Sequence, residues 1–171
     1  LNKFPIFIGG DHSVSIPLEA AFYDWCVENN KIPAIIHLDA HPDICDFYDG
    51  SSYSHACTNK RSIDYGYKPE NVVLVGIRGF EEQEVEYFSK HPELKVYTAN
   101  LCYEMGMAEV IRQIKEKFDD RYAIYLSYDI DTINSTLSHD LVQILTSIYT
   151  VVGSLIFMWQ ISKPMILIFV L

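Results

Sequence analysis

The chain has 171 residues, 49% apolar and 21% charged, enough for one domain with a real core. Its net charge of −10 and pI near 4.9 argue against a nucleic-acid partner, since phosphate backbones attract basic surfaces. Four cysteines without a CxxC pair read as reduced thiols of a cytoplasmic protein. No cleavable signal peptide precedes the first motif, and the lack of an initiating Met suggests residues upstream of Leu1.

Strand-like and helix-like patterns alternate along the chain. "FPIFI" (residues 4–8) reads as a buried strand, and residues 16–28 as a helix stopped by "NN". "PAIIHL" is the next strand, followed by a candidate helix over residues 54–65. "NVVLVGI" is a strand rich in β-branched residues, and "EEQEVEYFSK" a helix whose acidic start suits the helix dipole. "LKVYT" is a short strand. "GMAEVIRQIKEKF" places Met107, Val110, Ile111, Ile114 and Phe118 at helical spacing. "YAIYLSY" is the last clear strand. Continuously apolar strands separated by helices predict an α/β fold of three layers, a mainly parallel sheet with helices on both faces.

Three of these strands end in the same kind of polar group. Asp11 and His12 follow "FPIFI" in "GGDHS". Asp39, His41 and Asp43 follow "PAIIHL" in "DAHPD". Asp129 and Asp131 follow "YAIYLSY" in "DID". Open α/β sheets bind ligands at the carboxyl ends of their strands, so the three clusters can converge. Taken singly, each motif has a plainer reading: Asp-x-Asp as a turn or helix cap, "GGDHS" as a loop. Capping explains one aspartate of "DAHPD" but not all three groups. Together His12, Asp39, His41, Asp43, Asp129 and Asp131 bring four carboxylates into one place, where they could not all stay ionised without cations. Two divalent ions balance that charge. A set of carboxylates and imidazoles without thiolate favours Mn²⁺ over Zn²⁺, and a two-metal site suits hydrolysis.

"GGDHS", "DAHPD", "YSHAC", "VGIRG" and "SYDID", in this order, closely resemble the ureohydrolases, the arginase and agmatinase family. The resemblance covers residues 4–131 and leans toward agmatinase-type members. It implies an arginase-like fold and hydrolysis of a guanidino compound such as agmatine to urea and an amine, within polyamine metabolism. It also implies a cytoplasmic enzyme that is a homo-oligomer in intact members. One Mn²⁺ would be held by His12, Asp39, Asp43 and Asp129, the other by His41, Asp39, Asp129 and Asp131. Asp43 would orient the attacking hydroxide, His55 of "YSHAC" would shuttle the proton, and Asp11 would orient His12 or another ligand. Other linear amidines or guanidines, namely guanidinobutyrate, arginine or formiminoglutamate, are alternative substrates. The reading from a different class is a non-catalytic metal-binding remnant.

Several other residues carry plainer readings. His37 is read as a hydrogen-bonded or core histidine behind the site. Arg78 is read as lining the pocket or forming a salt bridge. The run "EEQEVE" is read as a solvated helix face.

The pattern breaks after Asp131. Asn134 and Ser135 stand where the family's aspartate and proline are expected, and no Glu follows Asp131 to receive the guanidinium. Residues 1–131 are therefore read as an incomplete ureohydrolase-like domain and residues 132–171 as a divergent apolar tail. The uncharged run over residues 141–161 is read first as an aberrant end. A membrane anchor and a buried sheet element are the other readings.

Overall fold

Four apolar runs become one sheet: β1 (Ile32–Leu38), β2 (Val72–Ile77), β3 (Lys95–Thr98) and β4 (Tyr122–Tyr128). The computed structural model describes residues 5–132, which fall within a unit spanning Leu1–Thr132. The strand order is β3-β2-β1-β4, and every pairing is parallel. Among the described residues α1 (Ser15–Glu28) precedes β1, and four helices connect the strands: α2 (Thr58–Tyr65), α3 (Glu82–Lys90), α4 (Ala99–Met105) and α5 (Met107–Lys117).

The central strands are buried on both faces, which is why they read as unbroken apolar runs, whereas among the described residues the edge strand β4 leaves Ile124, Leu126 and Tyr128 exposed. On one face Ala34, Val73, Val75 and Tyr97 pack with Cys102 of α4 and Val110 of α5. On the other, Ile35, Val72, Leu74 and Ile77 pack against Tyr23 of α1, Ile63 of α2 and Phe88 of α3. The expected three-layer α/β architecture is present. α4 was not anticipated. Thr98 caps its start by accepting from Leu101 N at 3.2 Å.

The strand expected over residues 4–8 is not formed among the described residues. Ile6, Phe7 and Ile8 are 79%, 60% and 96% exposed. The sheet of the described residues gives this segment no neighbouring strand, and an extended run without one leaves its backbone groups to solvent. Asp11 then accepts from Ser13 N at 2.8 Å and caps the short turn His12–Val14 that leads into α1. At the far end of α1, Asn29 is the C-cap and Asn30 takes a positive φ of 54°, which explains the stop at "NN".

Register sets up the site. Leu38 of β1 pairs with Val75 of β2 and Tyr128 of β4. Asp39 N donates to Val75 O at 3.1 Å, and Asp129 N donates to Leu38 O at 2.8 Å. The ladder thus carries one residue beyond the strands and sets Asp39 beside Asp129. Among the described residues no helix is long and apolar enough to cross a membrane. The readings of the tail over residues 133–171 lie outside the described residues.

Candidate metal centre

His12 reaches the sheet from the turn before α1. Its ring stacks on His37 of β1, with centroids 5.1 Å apart and planes 11° from parallel. Its Nε2 lies 2.9 Å from Ser127 Oγ of β4. These two contacts fix the ring and aim Nδ1 at the carboxylates. Nδ1 lies 2.9 Å from Asp43 Oδ2, 3.1 Å from Asp39 Oδ2 and 3.6 Å from Asp129 Oδ2. One ring nitrogen can give a proton to only one of three oxygens, so the arrangement exceeds what hydrogen bonding uses.

Asp39 is the pivot. Its Oδ1 accepts from His41 N at 2.8 Å. Its Oδ2 is buried beside His12 Nδ1 and His37 Nε2, the latter 3.2 Å away, yet has no partner of hydrogen-bond geometry among the described residues. On the outer side, His41 Nδ1 is 3.6 Å from Asp39 Oδ1 and 3.1 Å from Asp131 Oδ2. Asp131 Oδ1 accepts from Ala40 N at 3.0 Å. Asp129 Oδ1 accepts from Asp131 N at 3.0 Å. Two groups therefore have ligand atoms mutually close: His12, His37, Asp39 and Asp43, and Asp39, His41 and Asp131. Asp129, 3.6 Å from His12 Nδ1 through its Oδ2, joins neither tight group.

The electrostatics follow from this crowding. Burial alone would depress the His12 pKa, but the carboxylates of Asp39 and Asp43 outweigh it and raise it to about 10. Burial works against the Asp39 carboxylate, yet the close His12 and His37 ring nitrogens, the His37 charge and the His41 N–H hold its pKa well below the usual range. Burial pushes Asp131 upward, with Asp39 and Asp129 adding to the shift. A proton on His12 offsets part of the charge of the inner carboxylates.

The donor set fits a divalent ion. Bonds of about 2.1 Å to an octahedral ion put neighbouring ligand atoms about 3 Å apart. The 2.9, 3.1 and 3.1 Å separations at His12–Asp43, His12–Asp39 and His41–Asp131 match that spacing. The orphaned Asp39 Oδ2 points the same way.

The loop after β1 is held from two sides. Asp43 adopts φ 51°, a conformation that costs roughly 1–3 kcal/mol for a residue with a side chain. Its carbonyl accepts from Asn59 N at 2.9 Å, satisfying an orphan donor at the start of α2. Glu84 of α3 accepts from Ile44 N at 3.0 Å and, through its other oxygen, from Glu81 N at 2.9 Å. Glu84 is 3% exposed, and burial raises its pKa. The expected solvated face of "EEQEVE" is therefore wrong at this position. Gly79 leaves room for His41, since a Cβ there would lie 2.8 Å from the ring.

These residues line a cavity of about 580 Å³ that also takes in Asp11, Tyr48, His55 and Phe80, a size suited to a small molecule. His55 lies on the wall, edge-on to Tyr48 with centroids 5.4 Å apart. Its Nδ1 is 3.3 Å from Ser54 Oγ and 3.7 Å from Asp11 Oδ2. Asp11 thus faces His55 and caps the turn; it does not bond the His12 ring. Ser127 takes that place. Arg78 donates to the carbonyls of Asp131 and Thr132, and so steadies the turn after β4.

A model of the arginase family matches residues 1–138. The chain belongs to that family. The agmatinase of Bacillus anthracis is 34% identical over 135 residues, covering 78% of this chain and 41% of that protein. The mitochondrial arginase 1 of Arabidopsis thaliana is 37% identical over 139 residues, covering 76% and 36%. The solved structure of proclavaminate amidino hydrolase from Streptomyces clavuligerus superposes with a TM-score of 0.62 at 32% identity, covering 72% of this chain and 40% of that one. The chain thus spans about two fifths of the length of these relatives.

Ser127 and Glu19 are polar residues that sequence reasoning passed over, and Glu84 is one that it placed on a solvated face. Ser127 carried a signal, as a hydroxyl in an apolar strand two residues before Asp129 and on the same face. Glu84 carried a weaker one, as the far member of a capping box with Glu81. Glu19, fully buried in α1, carried none.

Proposed function

We propose that this region is the metal-holding part of a binuclear manganese hydrolase that acts on a guanidino compound, with agmatine as the first candidate. The observation that carries the reading is one histidine nitrogen facing three carboxylate oxygens at 2.9–3.6 Å where three strand ends meet. His12, Asp39, Asp43 and Asp129 would hold one ion. Asp39, His41, Asp129 and Asp131 would hold the other. When bound, the pair of ions would supply a water activated for attack at neutral pH.

The chain's own residues supply the rest. Asp43, on a loop anchored by Glu84 and α2, accepts a hydrogen bond from the attacking water and orients it. The water oxygen bonds to the guanidinium carbon, and the bond from that carbon to the alkyl nitrogen breaks. His55 passes a proton to the leaving amine, giving urea and an amine. With His55 Nδ1 beside Ser54 and Asp11, its Nε2 is the nitrogen left for that transfer.

Taken by themselves, these 171 residues bind Mn²⁺ but turn over poorly, because no Glu after Asp131 receives the guanidinium and positioning supplies several kcal/mol of such a barrier. The test is urea release from agmatine, arginine and 4-guanidinobutyrate with added Mn²⁺, alongside Mn²⁺ binding. Binding with urea release far below about 1 per second supports the reading. The absence of Mn²⁺ binding refutes it.

A further inference from the structure

Behind the metal centre lies a second polar layer that the reaction does not use. Glu19 of α1 and His37 of β1 are both 0% exposed, as are Thr58 and Asn59 of α2. Glu19 Oε2 accepts from Ser62 Oγ of α2, which ties the two helices together. Glu19 Oε1, His37 Nδ1 and Thr58 Oγ1 are buried with no hydrogen-bond partner among the described residues. Thr58 lies one turn before Ser62 on α2. Native interiors rarely leave such atoms unmet, and ordered water commonly meets them.

His37 links this layer to the metal centre. Its Nε2 lies 3.1 Å from His41 O and 3.2 Å from Asp39 Oδ2, while its ring lies flat against His12. Whatever holds Nδ1 therefore sets the tautomer and tilt of a ring touching two of the expected ligands. The histidine charge is also among the influences on Glu19, although burial dominates there and raises its pKa to about 7.

We propose that Glu19 is a positioning residue for the metal centre, acting on His37 Nδ1 through one buried water. The arrangement lines up the carboxylate of α1, the water and the His37 ring, whose Nε2 lies 3.2 Å from Asp39 Oδ2. Glu19 touches no ion and no substrate. It fixes His37 so that Asp39 Oδ2 stays aimed at the inner ion.

The inference rests on the manganese reading above. The test measures Mn²⁺ affinity by calorimetry and thermal unfolding without metal, for the full chain, Glu19→Leu and Glu19→Gln. Removing a group that steadies a ligand typically weakens metal binding 10- to 100-fold. Glu19→Leu is expected to lose at least tenfold in Mn²⁺ affinity, and its metal-free unfolding midpoint should fall as well, because Ser62 Oγ loses its buried acceptor. Glu19→Gln is expected to recover affinity to within about threefold, since its amide can still bond the water. A purely structural role would lower the midpoint and leave affinity unchanged, and that result overturns the inference. If Glu19→Leu does not fold, the ¹⁵N resonance of His37 Nδ1 decides: it moves between wild type and Glu19→Gln if they are linked, and an unmoved signal overturns the link. Absence of Mn²⁺ binding by the unaltered chain overturns both readings, whereas equal binding by wild type and Glu19→Leu overturns only this one.

Discussion

The two halves of the metal centre are built differently. In the inner half, His12, Asp39 and Asp43 have side chains only 11%, 2% and 6% exposed. Stacking, Ser127 and the strand register brace them. In the outer half, His41 and Asp131 are 58% and 40% exposed, and a turn steadied by Arg78 carries the second carboxylate. Burial strengthens an ion's attraction to its ligands and removes competing water. Preorganisation spares the cost of ordering side chains on binding. The inner half should therefore load first and hold its ion more tightly.

The largest effect should come from the residue both halves share. Asp39→Ala is expected to reduce bound Mn²⁺ from two ions toward none, whereas His55→Ala leaves both in place. Elemental analysis of the purified variants compares them, and equal loss would mean that His55 is a ligand or that Asp39 is not shared. Asp131→Ala touches only the outer half. It should leave about one ion per chain, still bound as tightly as the inner ion of the unaltered protein; loss of both ions would dissolve the distinction between the halves.

Smaller effects probe the bracing of the inner half. Ser127→Ala removes the hydroxyl beside His12 Nε2 and should weaken the tighter Mn²⁺ step by about 10-fold or more, with the weaker step unchanged. A calorimetric titration separates the two steps. The response to pH has a definite sign. The pKa of His12 is raised to about 10, so its protonated pairing stabilises the metal-free fold fully below about pH 6.5 and is lost as pH rises through about 10. Mn²⁺ must displace that proton, so the tighter affinity should climb between about pH 6.5 and 10, with up to one proton released per ion. Titrations in buffers of different ionisation heat count that proton, and affinity that falls across this range would contradict the assignment.

The clustering of the candidate ligands was legible where it was local. Asp39, His41 and Asp43 sit at alternate positions in one short segment, and a strand end presents such residues together whatever the distant packing. Parallel layering was also legible, because strands buried on both faces are apolar throughout. Position in the tertiary structure was less so. Residues 5–8 have strand composition, but a strand exists only with a neighbour. Glu84 sits in a run of acids that looks solvated, and only its contact with Ile44 N shows that it faces inward. Asp11 looked like a partner for the next residue, His12, yet capping claimed its carboxylate and Ser127, 115 positions from His12, bonds the ring. Glu19 had no local mark, since burial of one helix face depends on what packs there.

The most direct test of the account is the location of manganese in crystals of this protein grown with Mn²⁺, read from its anomalous scattering. The account predicts two peaks roughly 3.5–4 Å apart, the stronger among His12, Asp39 and Asp43 and the weaker among Asp39, His41 and Asp131. No peak at these residues, or a single ion held elsewhere, would contradict it.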